Sequence, residues 1–280
     1  GKSFGVLLYQ FLEKKIPLDD VHRILEAGGG LGNLMHDFLS LNPRVEAAMI
    51  DISPYLLTRQ KETLKEFAVN FQQTDILKTT AEELALFDLI IMNENLGDLP
   101  ALIANPAGRT SASEDVSLLH RANYFIDKYG LQLQENENIN IGALEIAEKF
   151  CRAGVKYIYL SEHSCEAVVP EHLQRYLHFT SSGNPEKISL YGHDEYTVKF
   201  SFLQKIAASF DYQILRGCFA DFLRPDFNDR VQTALRLAVP QTAEQEIIRQ
   251  FIYDLYKYEY LLLKKNPSPP GINNHCTGCK

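Results

Sequence analysis

Apolar positions in this chain follow two rhythms, and the alternation between them predicts its architecture. Phe4, Leu7, Leu8, Phe11 and Leu12 recur at three- and four-residue spacing, which predicts an amphipathic helix packed beside a sheet, ended by Lys14-Lys15-Ile16-Pro17. The pattern then shortens to strand-length runs: His22-Arg23-Ile24-Leu25, Ala47-Ala48-Met49-Ile50, Val69 to Ile76, Phe87 to Met92, and Val155 to Leu160. The fourth is continuously apolar, as a strand buried on both faces is. Helical stripes separate them. One carries Leu31, Leu34, Met35, Phe38 and Leu39, a second starts at Ser53-Pro54 and runs to about Phe67, and a third covers Ile141 to Ala153. Serine followed by proline is a helix start, capping oxygen before a preset φ. Strands alternating with helices predict an α/β fold with a mostly parallel sheet and helices on both faces.

The rhythm breaks over about residues 101–140, where Ala104 to Ser111 and Glu135 to Asn140 are loop-like around the mixed stretch Val116 to Tyr129. This predicts an insertion or lid longer than a connection needs, with a role in gripping substrate. Glu171 to Lys187 is polar, and its His172 and His178 are expected at the surface. Beyond it, Thr197 to Leu203 leads into a helix ending near Phe210, and Tyr212-Gln213-Ile214-Leu215 predicts a late, antiparallel strand. Thr242 and Gln245 have capping-box spacing ahead of a helical stripe of Ile247, Ile248, Phe251, Ile252 and Leu255. Tyr253, Tyr256, Tyr258 and Tyr260 are assigned to the same helix, at the edge of the core. The expected organisation is an N-terminal helix over 1–20, a cofactor-binding domain over 21–230 containing the insertion, and a C-terminal helix and tail over 231–280.

Candidate chemistry concentrates between Val21 and Asp51. The first strand runs into Glu26-Ala27-Gly28-Gly29-Gly30-Leu31-Gly32, a helix follows, and the second strand ends on Asp51. Glycines at 28, 30 and 32 let backbone turn sharply and approach a ligand, and the helix behind them offers unpaired N–H groups. An acid at the end of the second strand can accept both hydroxyls of a ribose. A dinucleotide fingerprint would read Gly-x-Gly-x-x-Gly over a pyrophosphate. Here Glu26 stands where a phosphate would be repelled and a ligand with an ammonium or sulfonium charge is suited.

This stretch resembles motif I of the class I S-adenosylmethionine (SAM) methyltransferases. The resemblance implies the Rossmann-like sheet of that class. It also implies a cofactor site of Glu26, Gly28, Gly30, Gly32, Asp51 and its neighbour Ile52, with Asp75 and Ile76 at the adenine and Asn93 near the methyl group. The polar loop Asn93-Glu94-Asn95-Leu96-Gly97-Asp98-Leu99-Pro100 follows the central strand, at the carboxyl edge where an acceptor must arrive. Glu94 and Glu162 are the candidate catalytic carboxylates, with Asp98 a third. More narrowly, Gly28 to Met35 resembles the Gly-Pro-Gly-Arg-Gly-Thr-Leu-Met loop of MidA-type methyltransferases, and Asn93 to Pro100 their Asn-Glu-x-x-Asp-Ala-Leu-Pro segment. Thr197-Val198-Lys199-Phe200 stands where they carry His-Val-Asp-Phe. Mitochondrial members of that family methylate a protein arginine during assembly of respiratory complex I, which implies a protein or small-molecule acceptor here. The acid of the second motif falls one place late, at Asp98, and the histidine of the third is absent. A non-catalytic binding or assembly protein on the same fold therefore stays open.

Composition narrows the alternatives. A net charge of −8 over 280 residues argues against a general nucleic-acid binder and is compatible with a cationic acceptor. No apolar run approaches the roughly 20 residues that span a bilayer, and there is no basic-then-apolar leader, so no membrane partner is expected. Five scattered cysteines suit a reducing cytoplasm rather than a disulfide framework. His163 and Cys165 beside Glu162 invite a nucleophile reading, but triad members usually meet from distant positions. His275, Cys276 and Cys279 give three zinc ligands where a structural site wants four, so no metal is expected. Nothing in the pattern sets an oligomeric state.

Overall fold

The computed structural model describes residues 1–104, 113–237 and 239–267. Its elements in chain order are α1 (Phe4–Glu13), β1 (Arg23–Ala27), α2 (Asn33–Leu41), β2 (Glu46–Asp51), α3 (Pro54–Thr63), β3 (Val69–Gln73), the short α4 (Ala81–Leu84), β4 (Leu89–Asn93) and α5 (Ser113–Tyr129). They continue with α6 (Ile141–Ala153), β5 (Tyr157–His163), β6 (Lys187–Ser189), β7 (Asp194–Tyr196), α7 (Phe200–Ser209), β8 (Tyr212–Cys218), α8 (Asp229–Arg236), α9 (Ala243–Lys257) and β9 (Tyr258–Lys265).

Seven strands form one sheet in the order β3-β2-β1-β4-β5-β9-β8. The first five are mutually parallel, and β9 runs antiparallel to both β5 and β8. Each face carries its own apolar layer. One holds Leu8, Phe38, Ile91, Tyr159 and Leu262 under α1, α2 and α9; the other holds Ile90, Leu144, Ile158 and Leu203 under α6 and α7. β4 is buried along Leu89 to Met92, as its unbroken apolar run predicts.

Local signals behave as their chemistry dictates. Ser53 Oγ accepts from the Leu56 N–H with Pro54 in the first turn of α3. Thr242 Oγ1 accepts from the Gln245 N–H, but the Gln245 side chain returns to the Gln241 N–H and leaves the box open. α1 packs against α2, with Ser3 Oγ donating to Asp37, and stays beside the sheet. Leu31 belongs to the glycine loop, with 48% of its surface exposed, instead of to the α2 stripe.

Two expectations are corrected. Tyr258 and Tyr260 lie in β9, a strand inserted between β5 and β8, not on the preceding helix. The apolar stripe of α9 runs directly into the strand's first tyrosines, so the change of period at Lys257 is masked by continuous hydrophobicity. β8, expected antiparallel, is so only to β9; reversed twice, it points the same way as β5. The sheet thus draws strands from both sides of position 230. The polar stretch before Thr197 also contains an unforeseen hairpin, β6–β7.

Over 101–140, a bridge between Leu102 and Ile139 closes the base of the insertion, and α5 buries Ala122 and Phe125. Glu148 of α6 binds Lys128, Tyr124 and Tyr129 of α5, and Arg121 pairs with Glu145, which staples α5 to α6. The predicted loop over 105–111 and the His275, Cys276 and Cys279 tail lie outside the described residues.

Candidate active site

The parallel strands end along one edge of the sheet, and a cleft of about 620 Å³ opens there between the loops that leave β1 to β4. That volume suits a ligand of nucleoside size. Its wall is the glycine loop, where Gly28 and Gly30 have φ of 66° and 52°. A Cβ on Gly28 would stand 2.2 Å from Asn95 Nδ2, so only glycine fits there; one on Gly30 would meet nothing within 4 Å and would project into open space. Asn95 locks the loop from below by donating to the Ala27 carbonyl.

Asp51 lines the cleft at the end of β2, 5% exposed. One oxygen accepts from the Ser53 N–H at 2.9 Å and the other from Gln60 Nε2 at 2.9 Å. The same Gln60 amide donates to the Gly30 carbonyl at 3.1 Å, so one wholly buried side chain ties the glycine loop to the acid. The sequence signal for Gln60 is a polar residue on the inner face of α3, between the buried Leu57 and Leu64. Asp75 caps the turn after β3 by accepting from the Leu77 N–H at 2.9 Å, and it lines the cleft as well. Ile76 is buried in the wall and Ile52 stands exposed at the mouth.

Glu26 lies one layer deeper, behind Gly29 and outside the cleft lining. Its carboxyl accepts from the Met35 backbone N–H in the first turn of α2, while Oε2 has no partner. Burial, reinforced by Asp51, pushes its pKa up to about 8 despite the Met35 bond.

The acceptor loop follows β4. Glu94 lines the cleft with φ of 55°, a left-handed conformation unusual for a residue with a Cβ and typical of functional sites. Its surface is open toward the cleft, yet the surrounding walls desolvate the carboxyl. That burial raises its pKa, against the Asn93 amide and with Asp254 and Glu195 adding to the rise. Asn93 turns away, donating to Glu94 Oε1 at 3.1 Å and accepting from Ser161 Oγ at 2.8 Å; it holds Glu94 instead of lining the cleft. Asp98 lines the cleft and faces His193 of the β6–β7 hairpin at 3.3 Å, and the same His193 nitrogen is 3.3 Å from Glu195. Burial raises the Asp98 pKa and His193 opposes it.

Glu162 sits elsewhere than foreseen. It is 4% exposed in β5, with one oxygen on the Gly97 N–H at 3.1 Å and the other on the His163 N–H at 2.8 Å. It braces the acceptor loop from behind, and burial moves its pKa up to about 7. The Cys165 thiol is pushed up to about 12 by burial, and both His163 nitrogens lack a partner, so the two form no nucleophile pair. Lys199, where the third MidA motif carries its acid, makes a buried ion pair with Glu137, and Thr197 accepts from the Glu186 N–H. That segment staples the foot of the insertion.

The donor set fits SAM: a paired-acceptor carboxylate at a strand end, an open glycine turn at a helix N-terminus, an apolar wall with Asp75, and a buried carboxyl with one free oxygen. Comparison with known proteins agrees. Residues 25–108 match the family described as methyltransferase domain. No curated protein matches the chain significantly in sequence. An uncharacterized ACR superfamily protein from Burkholderia thailandensis superposes with a TM-score of 0.55 at 14% identity, over 94% of this chain and 79% of that one. The methyltransferase domain of bacterial-CtHen1-C superposes with a TM-score of 0.50 at 11% identity, over 95% and 100%. An S-adenosylmethionine-dependent methyltransferase from Clostridium acetobutylicum gives 0.47 at 10% identity, over 95% and 94%. At these identities the structural likenesses are of fold. Strand order, cleft and matched domain together define the class: a SAM-dependent methyltransferase.

Proposed function

We propose that the acceptor is the guanidinium of a protein arginine, as the resemblance to MidA-type methyltransferases implies, and that Glu94 is the carboxylate that receives it. The observation that carries this reading is the pair Glu94 and Asp98 in the wall of the cofactor cleft, with Glu195 of the β6–β7 hairpin joined to Asp98 through His193. Carboxylates bind a guanidinium through paired, charge-assisted hydrogen bonds. When bound, SAM supplies a methyl carbon whose bond to the acceptor nitrogen forms as its bond to sulfur breaks, the electron pair leaving with sulfur. The chain's own task is then to orient the acceptor, exclude water and take one proton from nitrogen. Glu94 is suited to the last step because desolvation makes its carboxylate a stronger base than one in water. Asn93 and Glu162 act through position, the first on the Glu94 carboxylate and the second on the backbone of Gly97. No helix among the described residues is long and apolar enough to cross a membrane. The free thiols of Cys151, Cys165 and Cys218 support our placement of the chain in a reducing cytoplasm.

The test is transfer of labelled methyl from SAM to proteins of the source lysate, with wild type and Glu94→Gln. The expected result is label on arginine with wild type, none with the variant, and an unchanged affinity for S-adenosylhomocysteine (SAH). Simultaneous loss of transfer and SAH binding in the variant would make Glu94 a structural residue and overturn its role.

A further inference from the structure

Asp51 is held by a side chain that stands outside the cofactor cleft. Gly30, Asp51 and Ser53 line that cleft and Gln60 does not. Gln60 belongs to α3, which begins just after Asp51 and packs back against the glycine loop. A Cβ on Gly32 would lie 3.3 Å from the Gln60 Cα and 3.5 Å from its Cγ, so the bare glycine lets α3 come close enough for Gln60 to reach the loop.

The amide at the end of that reach is fully committed. Its nitrogen donates to Asp51 Oδ2 at 2.9 Å and to the Gly30 carbonyl at 3.1 Å, which uses both hydrogens. Both neighbours are acceptors, so the amide oxygen has to turn away from them. That oxygen is shielded from solvent and has no hydrogen-bond partner among the described residues. A buried amide oxygen left unpaired weakens a fold, and an apolar side chain of the same length would fill the space without it. What the amide adds is orientation. The Ser53 N–H holds Asp51 Oδ1 at 2.9 Å while Gln60 holds Oδ2, so rotation of the carboxylate is blocked at both oxygens. Each oxygen keeps a second lone pair for a hydroxyl in the cleft.

We propose that Gln60 is a positioning residue for the cofactor: it keeps Asp51 turned to the ribose hydroxyls and ties the glycine loop to the same carboxylate. Recognition of the ribose then depends on a side chain that never touches it. The inference rests on the reading of Asp51 as the ribose-binding acid.

The test is an NMR titration of the full chain with adenosine and with 2′,3′-dideoxyadenosine, which differ only in the ribose hydroxyls. Wild type should prefer adenosine by at least about tenfold, since the hydroxyls bond to a charged acceptor. Gln60→Met keeps the length of the side chain and removes both donors. It should lose most of that preference while binding dideoxyadenosine as wild type does. Gln60→Glu can donate to Asp51 only while its introduced carboxyl holds a proton. It should resemble Gln60→Met at about pH 8 and recover toward the wild-type preference at about pH 5, each compared with wild type at the same pH. A Gln60→Met protein that keeps the wild-type preference, or that binds both nucleosides more weakly by the same factor, would overturn the assignment of Gln60 alone. Wild type that binds the two nucleosides equally would instead overturn the ribose reading of Asp51 from which the inference starts.

Discussion

Glu26 offers a quantitative check on the cofactor site. Its carboxyl is 2% exposed, has one oxygen without a partner, and has a pKa near 8, raised first by burial and then by Asp51. In the unfolded chain the same group titrates at its ordinary value of 4.5. Between those two values the folded state holds a proton that the unfolded state has released, so stability falls as pH rises. The stabilising contribution of the neutral acid is fully present below about pH 4.5 and is lost as pH passes through about 8. The slope is about 1.4 kcal/mol per pH unit, which amounts to roughly 5 kcal/mol across the interval. Glu26→Gln keeps an oxygen for the Met35 N–H and removes the titration. Relative to wild type it should therefore gain about 3 kcal/mol of unfolding free energy between pH 5.5 and 7.5, measured by urea denaturation without cofactor. Glu162 titrates in the same sense but is common to both proteins and cancels in the difference. Saturating SAH should flatten the wild-type profile, because the ammonium of its amino-acid tail favours the carboxylate. Parallel stability profiles for variant and wild type would refute the reasoning, since Glu26 would then already be charged in the folded protein.

Two further substitutions test the frame around the site. Glu162→Ala leaves the buried Gly97 and His163 N–H groups without acceptors and should cost about 2–5 kcal/mol in chemical denaturation, more than Glu162→Gln, which keeps one acceptor oxygen. A wild-type denaturation midpoint in Glu162→Ala would contradict its bracing role. Gly28→Ala puts a Cβ against Asn95 at a φ of 66° and should lower stability by about 1–3 kcal/mol while weakening SAH binding; unchanged binding would separate the loop from the cofactor.

The half of the chain that is legible from sequence is the half whose signals are local. The run from β1 through the glycine loop to Asp51 is contiguous, its turn chemistry is fixed by residue type, and the cleft forms where the strand pattern predicts. Asp51, Asp75, Ile76, Glu94 and Asp98 all line that cleft. Residues that act through distant partners are less visible. Glu162 and Asn93 sit at strand ends like the true cleft residues, yet period-2 alternation turns one toward the acceptor-loop backbone and the other toward Ser161. Gln60 owes its role to two groups brought together only by folding. β9 was hidden because an apolar helix runs into an apolar strand without a break. His193 and Glu195 reach Asp98 through the β6–β7 hairpin, a placement that no window of sequence contains.

The central claim is that the cleft between β1 and β4 binds the adenosyl cofactor, with Asp51 on its ribose. Isothermal titration calorimetry of the full chain with SAH tests it most directly, with wild type beside Asp51→Ala. The account predicts saturable binding of one SAH per chain with a negative heat-capacity change, weakened at least about a hundredfold by Asp51→Ala, which removes two charge-assisted hydrogen bonds. Absence of binding to wild type at millimolar SAH, or equal binding by the two proteins, would contradict it.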